Sequence, residues 1–446
     1  MSTDLRAAVD RVLPGVRRDL EALVRIPSVS ADPARTDDVR ASAEAVADLA
    51  RDAGATDTRV LSVDGGAPAV VATWPAPAGT PTVLLYAHHD VQPTGDRATW
   101  SSEPFEPTER GGRLYGRGAA DDKAGVMAHL AAVRAFGGRP PVGVTLFVEG
   151  EEEVGSPTFV PFLESHRHLL AADVIVVADS ANWAVGVPAL TTSLRGLAHV
   201  QVEVRTLDHH VHSGMYGGPV PDATTALVRL LATLHDDRGD VAVAGLVTGE
   251  ASDVDYPEDA FRADAGLLEG VELIGSGSLA DRLWTRPALT VIGLDVPAIA
   301  GAANVLQPVA RAEVSLRLAP GQDPDAAVEA LTTHLTSHAP FGARVTVSPA
   351  ETGAPTALDA SGPAYEAARA ALREAWDGVE PVEMGVGGSI PFIEEFARLF
   401  PDASVLVTGV EDPDSRAHGA DESLHLAEFA RACHAEALLL RHLATR

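Results

Sequence analysis

Cysteine is almost missing from this chain. Cys433 is the only one in 446 residues, so an intrachain disulfide and a thiolate zinc site are both excluded by arithmetic. Any metal ion must be held by His, Asp and Glu. Lysine is equally scarce: of the 34 basic side chains only Lys123 is a lysine. A P-loop needs Gly-Lys and a Schiff-base enzyme needs a lysine, and the neighbours of this one, Asp121, Asp122 and Ala124, fit neither pattern. No apolar run reaches the roughly 18 residues that would span a bilayer. The first twenty residues carry acids and bases throughout instead of the apolar core of a secretory signal, so a cytoplasmic location is expected. Positive charge is short as well. A formal net charge of −29 with no basic cluster would repel nucleic acid and anionic lipid. Neither G-x-S-x-G nor H-E-x-x-H occurs, which removes the signatures of a serine hydrolase and of a single-zinc protease.

What is present is the composition of a globular protein, 46% hydrophobic and 22% charged, in a chain too long for one compact core. Two domains are expected. Residues 4–25 have helical periodicity with a break at Pro14. Apolar, β-rich runs at 69–74, 82–86, 144–148 and 174–178 read as buried strands, with a helix over 124–136, an α/β layout of largely parallel strands. Beyond Pro188 the order becomes strand 198–205, helix 222–234, strands 288–293 and 311–318, helix 325–334 and strand 343–347. That order, βαββαβ, is the ferredoxin-like split unit. It is read as an insertion over 190–352, dividing a catalytic domain into 1–189 and 353–446, the latter with a helix over 363–375 and a strand over 404–408.

Acids and histidines follow the strands. His88 and Asp90 leave the second, residues 149–153 the third and Asp179 the fourth, and open α/β sheets bind ligands at the carboxyl ends of their strands. In His88-His89-Asp90, a His ligand could give its other ring N–H to Asp90, with His89 pointing away; a loop His-Asp pair satisfying itself is the competing reading. The turn from Gly116 to Asp121 does not suit a dinucleotide, because Asp121 would repel pyrophosphate at the helix start. Metal binding and helix capping by Asp121 or Asp122 both fit it. Glu149, Glu151, Glu152 and Glu153 could form a solvated charge run. Their place beyond an apolar strand points instead to a cation site, or to one acid acting as a base with a raised pKa. Asp179 and His418, each a plain loop residue when taken singly, complete a set of two His and three carboxylates suited to two metal ions.

These residues resemble the two-metal peptidases that include carnosinase, cytosolic dipeptidase, aminoacylase, acetylornithine deacetylase and glutamate carboxypeptidase. The likeness covers nearly the whole chain and rests on motifs in family order: H-x-D-V-x-P at His88, G-R-G-x-x-D-D-K at Gly116, E-E-x-G-S at Glu152, Asp179, H-S-G at His212, R-L-x-P-G-Q at Arg317, G-G-S-I-P at Gly387 and the late His418. The resemblance implies that His88, Asp121 and Asp179 hold one divalent ion and Asp121, Glu153 and His418 the other, with Asp121 bridging. Zinc is expected, and manganese or cobalt suits the same donors. Glu152 would be the general base, and Asp90 would steady His88.

By the same resemblance the inserted domain is a lid and the surface of a homodimer. His212, assisted by Asn304, would stabilise the oxyanion, in the partner subunit's site. Arg317 and Ser389 would hold the substrate's terminal carboxylate, Arg317 through a bidentate fork, where the competing reading is a structural ion pair. Two positions depart from the family pattern. Gly385-Val386 stand where many members carry Arg-Glu, which sets the usual contacts of that loop aside, and Ala124 replaces the glycine that often follows the lysine. The implied activity is hydrolysis of dipeptides or short peptides, with N-acyl amino acid deacylation by the same mechanism as the alternative.

Overall fold

The computed structural model describes residues 2–388 and 391–445. The chain forms two units, one of Met1–Thr192, Leu358–Met384 and Glu395–Arg446, the other of Ser193–Ala357 and Gly385–Glu394. The first unit opens with α1 (Ser2–Val24) and α2 (Thr36–Asp52), then β1 (Asp57–Leu61), β2 (Ala69–Trp74), β3 (Thr82–His88), β4 (Thr108–Arg110) and β5 (Arg113–Tyr115). It continues through α3 (Lys123–Ala135), β6 (Gly143–Glu149), α4 (Phe159–Leu170) and β7 (Val174–Val177) to β8 (Ala189–Leu194). The expected break at Pro14 does not occur: α1 runs unbroken through it. Leu5, Val9, Val16, Leu20 and Leu23 are all buried, so one apolar stripe continues on both sides of the proline. Burial of that stripe outweighs the roughly 3 kcal/mol that a proline costs inside a helix. Lys123 also ties α1 down, its buried Nζ donating to the carbonyls of Leu23 and Ile26 at 2.8 and 2.7 Å.

The second unit holds β9 (Gly196–Arg205), β10 (Val211–His212), α5 (Ser213–Tyr216), α6 (Ala223–Leu231), α7 (Glu258–Asp264), β11 (Ala288–Asp295), β12 (Val305–Leu306), β13 (Val309–Leu318), α8 (Pro324–Ser337), β14 (Arg344–Gly353) and β15 (Thr356–Ala357). Its antiparallel sheet has the order β11-β13-β9-β14. Along β9, Ala198, Val200, Val202 and Val204 are buried while the alternate residues are less so, the period-2 pattern of a sheet covered on one face. They pack with Leu227 and Leu230 of α6 and Leu331 and Leu335 of α8 in one core. Both helices start on side-chain caps: Asp222 accepts from the N–H of Thr225, and Asp323 from that of Ala326.

The chain returns through α9 (Pro363–Ala375), β16 (Val382–Val386), α10 (Pro391–Leu399), β17 (Ser404–Val407), β18 (Ser423–His425) and α11 (Leu426–Leu443). The large sheet runs β1-β2-β6-β3-β7-β17-β8. Its centre is parallel, β6 with β3, β3 with β7 and β7 with β17, whereas β1, β2 and β8 pair antiparallel. The strand at 69–74, expected among the parallel ones, is therefore reversed, and the sheet is mixed. An apolar run buried on both faces looks the same in either direction, so its sequence does not reveal its sense. Among the described residues no helix is long and apolar enough to cross a membrane.

Register brings the functional side chains together. His88 pairs with Glu149 across β3 and β6, Tyr86 with Val177 across β3 and β7, and Val407 with Val177 across β17 and β7. Four parallel strands thus release their chains at one edge. Past that edge Gly409 lies so near Ser180 that a Cβ there would sit 1.4 Å from the Ser180 carbonyl oxygen. Only glycine lets the loops after β7 and β17 run side by side. Gly409→Ala is expected to cost at least about 1–3 kcal/mol, as overpacking against immovable backbone does; chemical denaturation curves of the two proteins measure it.

Candidate active site

His88, at the end of β3, is fully buried. Its Nδ1 lies 3.1 Å from the carbonyl oxygen and 3.4 Å from the carboxylate of Asp90. Its Nε2 lies 3.1 Å from Asp121 Oδ1 and 3.9 Å from Asp179 Oδ1. With Nδ1–H donating to Asp90, the Nε2 lone pair faces carboxylate oxygens, which is repulsive unless a proton or a cation lies between. Burial lowers the His88 pKa, but its hydrogen bonds to Asp121 and Asp90 outweigh that and raise it well above the usual value. Asp90 has a second task. Its carboxylate accepts the backbone N–H groups of Glu152 and Glu153 at 3.2 and 3.1 Å, tying the histidine turn to the acidic turn. His89 points elsewhere, its Nε2 donating to the Pro68 carbonyl at 2.8 Å.

Asp121 stands at the centre. While Oδ1 faces His88, Oδ2 lies 3.0 Å from Nε2 of His418, and that nitrogen is 3.3 Å from Glu153 Oε2. The two oxygens of one carboxylate therefore face two different imidazoles. Hydrogen bonding to Asp121 and then to Glu153 lifts the His418 pKa to about 11. Glu153 accepts the N–H of Gln92 through Oε1 at 2.9 Å, and its buried Oε2 faces the His418 ring. Donor atoms of His88, Asp121 and Glu153 lie within 4.8 Å of one another, as do those of His88, Asp122 and Asp179. Burial, and then the charges of Asp121 and Glu153, push the Asp179 carboxyl up to about 7 against the pull of His88 and His418.

The structure divides the neighbouring acids between tasks. Asp122, rather than Asp121, is the helix cap: its Oδ1 accepts the N–H of Gly125 at 3.1 Å and its Oδ2 that of His88 at 3.2 Å, so both oxygens are already engaged. Glu151 accepts the N–H groups of Ala67 and Thr158 and the Thr158 hydroxyl. Glu149 accepts the Tyr86 phenol, and burial raises its pKa to about 8. Glu152 alone of the four makes no hydrogen bond through its carboxylate among the described residues. Burial raises its pKa well above the usual range, and repulsion from Asp179, Glu153 and Asp90 adds to the rise against the attraction of His88. A carboxylate held ready to take a proton is what general-base chemistry needs.

One acid was not singled out from the sequence. Glu411 lies beyond β17, bridged in parallel to Ala181, with its carbonyl accepting the N–H of Asn182 at 2.8 Å. Its carboxyl is raised well above the usual range by burial, then by Asp121 and Asp179. Only that bridge sets it beside Ala181, two positions along the chain from Asp179, so no local motif marks it. Of the remaining expected residues, His212, Asn304 and Arg317 belong to the second unit. His212 pairs with Val305 across β10 and β12, and the N–H of Ser213 donates to the Asn304 carbonyl at 2.9 Å, so His212 and Asn304 are neighbours. Arg317 is half-buried on β13. Close to it is a second guanidinium that the sequence reading passed over, Arg195, which donates to the Gly387 and Arg282 carbonyls. Burial and the charge of Arg317 lower its pKa to about 10. Ser389 lies outside the described residues.

The donors fit divalent cations. Imidazole nitrogens and carboxylate oxygens without thiolate suit zinc, manganese and cobalt alike. The His88 lone pair faces the carboxylates of Asp121 and Asp179, an arrangement that a bound cation relieves as well as a proton does.

The sequence profile of Peptidase family M20/M25/M40 matches residues 84–442. The cysteinylglycine-S-conjugate dipeptidase of Corynebacterium striatum is 36% identical over 429 residues, which cover 95% of this chain and 94% of that one. The Beta-Ala-His dipeptidase of Rattus norvegicus is 30% identical over 376 residues, 77% of this chain and 73% of that one. The structure of human carnosine dipeptidase 1 superposes with a TM-score of 0.81 at 25% identity, covering all of this chain and 99% of that one. With its motifs, its fold and its relatives in agreement over most of its length, the chain belongs to peptidase family M20/M25/M40.

Proposed function

We propose that this protein is a dipeptidase that cleaves the peptide bond with the help of two divalent ions, preferably zinc. The observation that carries the reading is the Asp121 carboxylate, whose two oxygens lie 3.1 and 3.0 Å from the imidazoles of His88 and His418. His88, Asp121 and Asp179 would hold one ion, and Asp121, Glu153 and His418 the other. Bound in pairs, such ions polarise a scissile carbonyl and lower the pKa of water. The chain's own residues do the rest. Glu152 takes the proton of the attacking water and returns it to the leaving amine, a role favoured by its raised pKa and by a carboxylate without a hydrogen bond among the described residues. Asp90 holds His88 in one tautomer and fixes the backbone of Glu152 and Glu153 through two accepted N–H bonds.

The second unit has the strand order of a ferredoxin-like insert, and we assign it the lid and dimerisation roles. It exposes Met215, Tyr216, Ile292, Leu294 and Ile299, more large apolar side chains than a solvated surface favours. Arg317, with Arg195 beside it, is proposed to take the substrate carboxylate, a contact to which Ser389 would add, and His212 with Asn304 to stabilise the oxyanion in the partner subunit's site. The dipeptide substrate class is supported by the dipeptidase relatives.

Chelation should abolish dipeptide hydrolysis, and added zinc, manganese or cobalt should restore it; an apo-protein of full activity would refute the reading. N-acyl amino acids turned over faster than dipeptides by the reloaded enzyme would move it to the deacylase branch. Glu152→Gln should keep both ions, counted by elemental analysis, while turnover drops about 100- to 10,000-fold, the range of general-base effects. His212→Ala and Glu152→Gln proteins, each nearly inactive, should regain activity when mixed. No gain after confirmed subunit exchange would place His212 in its own subunit's site.

A further inference from the structure

Arg117 and Glu422 are two of the most deeply buried charged side chains, 1% and 0% exposed, and neither has a place in the chemistry above. Arg117 follows β5 in the glycine turn, and Glu422 precedes β18, which pairs with β5. One Arg117 nitrogen donates to Glu422 Oε2 at 2.7 Å. The second terminal nitrogen donates to three carbonyls, those of Pro93 at 3.2 Å, His418 at 3.1 Å and Gly419 at 3.2 Å. The free oxygen of Glu422 accepts the backbone N–H groups of Ala120 at 3.0 Å and Asp121 at 3.2 Å. One buried ion pair thus grips the backbone of the bridging acid at one end and the backbone of a histidine ligand at the other.

The loop it grips needs holding. Arg416, His418 and Asp421 all have positive φ, +55°, +63° and +57°, a region that non-glycine residues leave unless their surroundings fix them. The His418 ring is 60% exposed, so packing does not fix it. What fixes the loop is hydrogen bonding to its backbone and flanks. Besides Arg117, Asp421 accepts the N–H and hydroxyl of Ser101 at 2.8 and 2.7 Å, and Asp412 pairs with Arg113 at 3.0 Å. His88 ends β3 and Asp179 lies two residues past β7, both buried strands, and they have less need of such holding.

We propose that Arg117 and Glu422 form a positioning clamp that sets His418 against Asp121 and thereby determines the affinity of the second, His418-side ion. The inference rests on the two-ion reading. A buried guanidinium bonded to a carboxylate and to three carbonyls is directional, and lysine cannot reproduce it, because one ammonium cannot span the same fork. The first ion, whose His88 and Asp179 lie on strand ends the clamp does not touch, depends on it less.

Zinc titration calorimetry of chelated full-length protein tests this, with thermal unfolding of the apo-proteins alongside. Wild type should take up two ions. Arg117→Lys and Glu422→Gln should each weaken the first ion only slightly, through the shared Asp121, while the second weakens about 10- to 100-fold, as happens when groups supporting a metal ligand are lost. Cobalt loaded at two equivalents should show the altered visible spectrum of a site missing its imidazole. Ser101→Ala, a mild surface change that loosens the same loop from its other anchor, should weaken the same ion to a smaller degree, and it keeps the test open should the buried variants unfold. If the variants lose apo stability but bind both ions as wild type does, the pair is merely structural and the clamp is overturned. If wild type itself binds fewer than two ions, the two-ion reading has failed first.

Discussion

Carboxylates crowded beyond the ends of buried strands repel one another, and the first unit is organised around disposing of that repulsion. Each acid meets a different partner. Asp90, Asp122 and Glu151 accept backbone N–H groups, Glu149 accepts a phenol, and Glu422 takes a guanidinium. Asp121, Glu153 and Asp179 are left facing imidazoles and one another, a balance that bound cations would complete. The Glu152 carboxylate has no hydrogen-bond partner among the described residues. Neighbouring residues of identical chemistry therefore do unlike work because their partners differ, and those partners come from distant parts of the chain.

That division explains what could be read from the sequence. The central strands were legible because their apolar runs are continuous and end in polar residues, and the separate antiparallel sheet because its strands and helices follow one another in the order βαββαβ. The acids and histidines that the fold brings together at the strand ends could be picked out because each follows a strand or sits in a spaced motif. Which acid caps α3 was not. Asp121 and Asp122 suit a cap equally in sequence, and the choice depends on the His88 N–H, 34 positions away, that meets Asp122. Likewise nothing local separates Glu151 from Glu152 until Ala67 and Thr158 are brought to the former.

Residues that act through tertiary pairing were missed for the same reason. Glu411 and Glu422 lie in a loop with several acids, and only the pairing of β18 with β5 and the approach of Gly409 to Ser180 give them meaning. Pro14 failed in the opposite sense. Its local signal is strong, yet a buried stripe on both sides of it decides the outcome. Long-range burial prevails over a single local preference of a few kcal/mol.

The one lysine acquires a significance beyond its contacts. Lys123 is wholly buried, its pKa brought down to about 7 by burial, and its amine is spent on the carbonyls at the end of α1. The folded surface therefore offers no lysine amine at all, and its positive charge is carried by guanidinium and imidazole. Amine-directed acylating reagents and cross-linkers find no side-chain target on the native protein. Modification at Lys123 would report the moment when α1 parts from the start of α3, one residue from the acids that build the site.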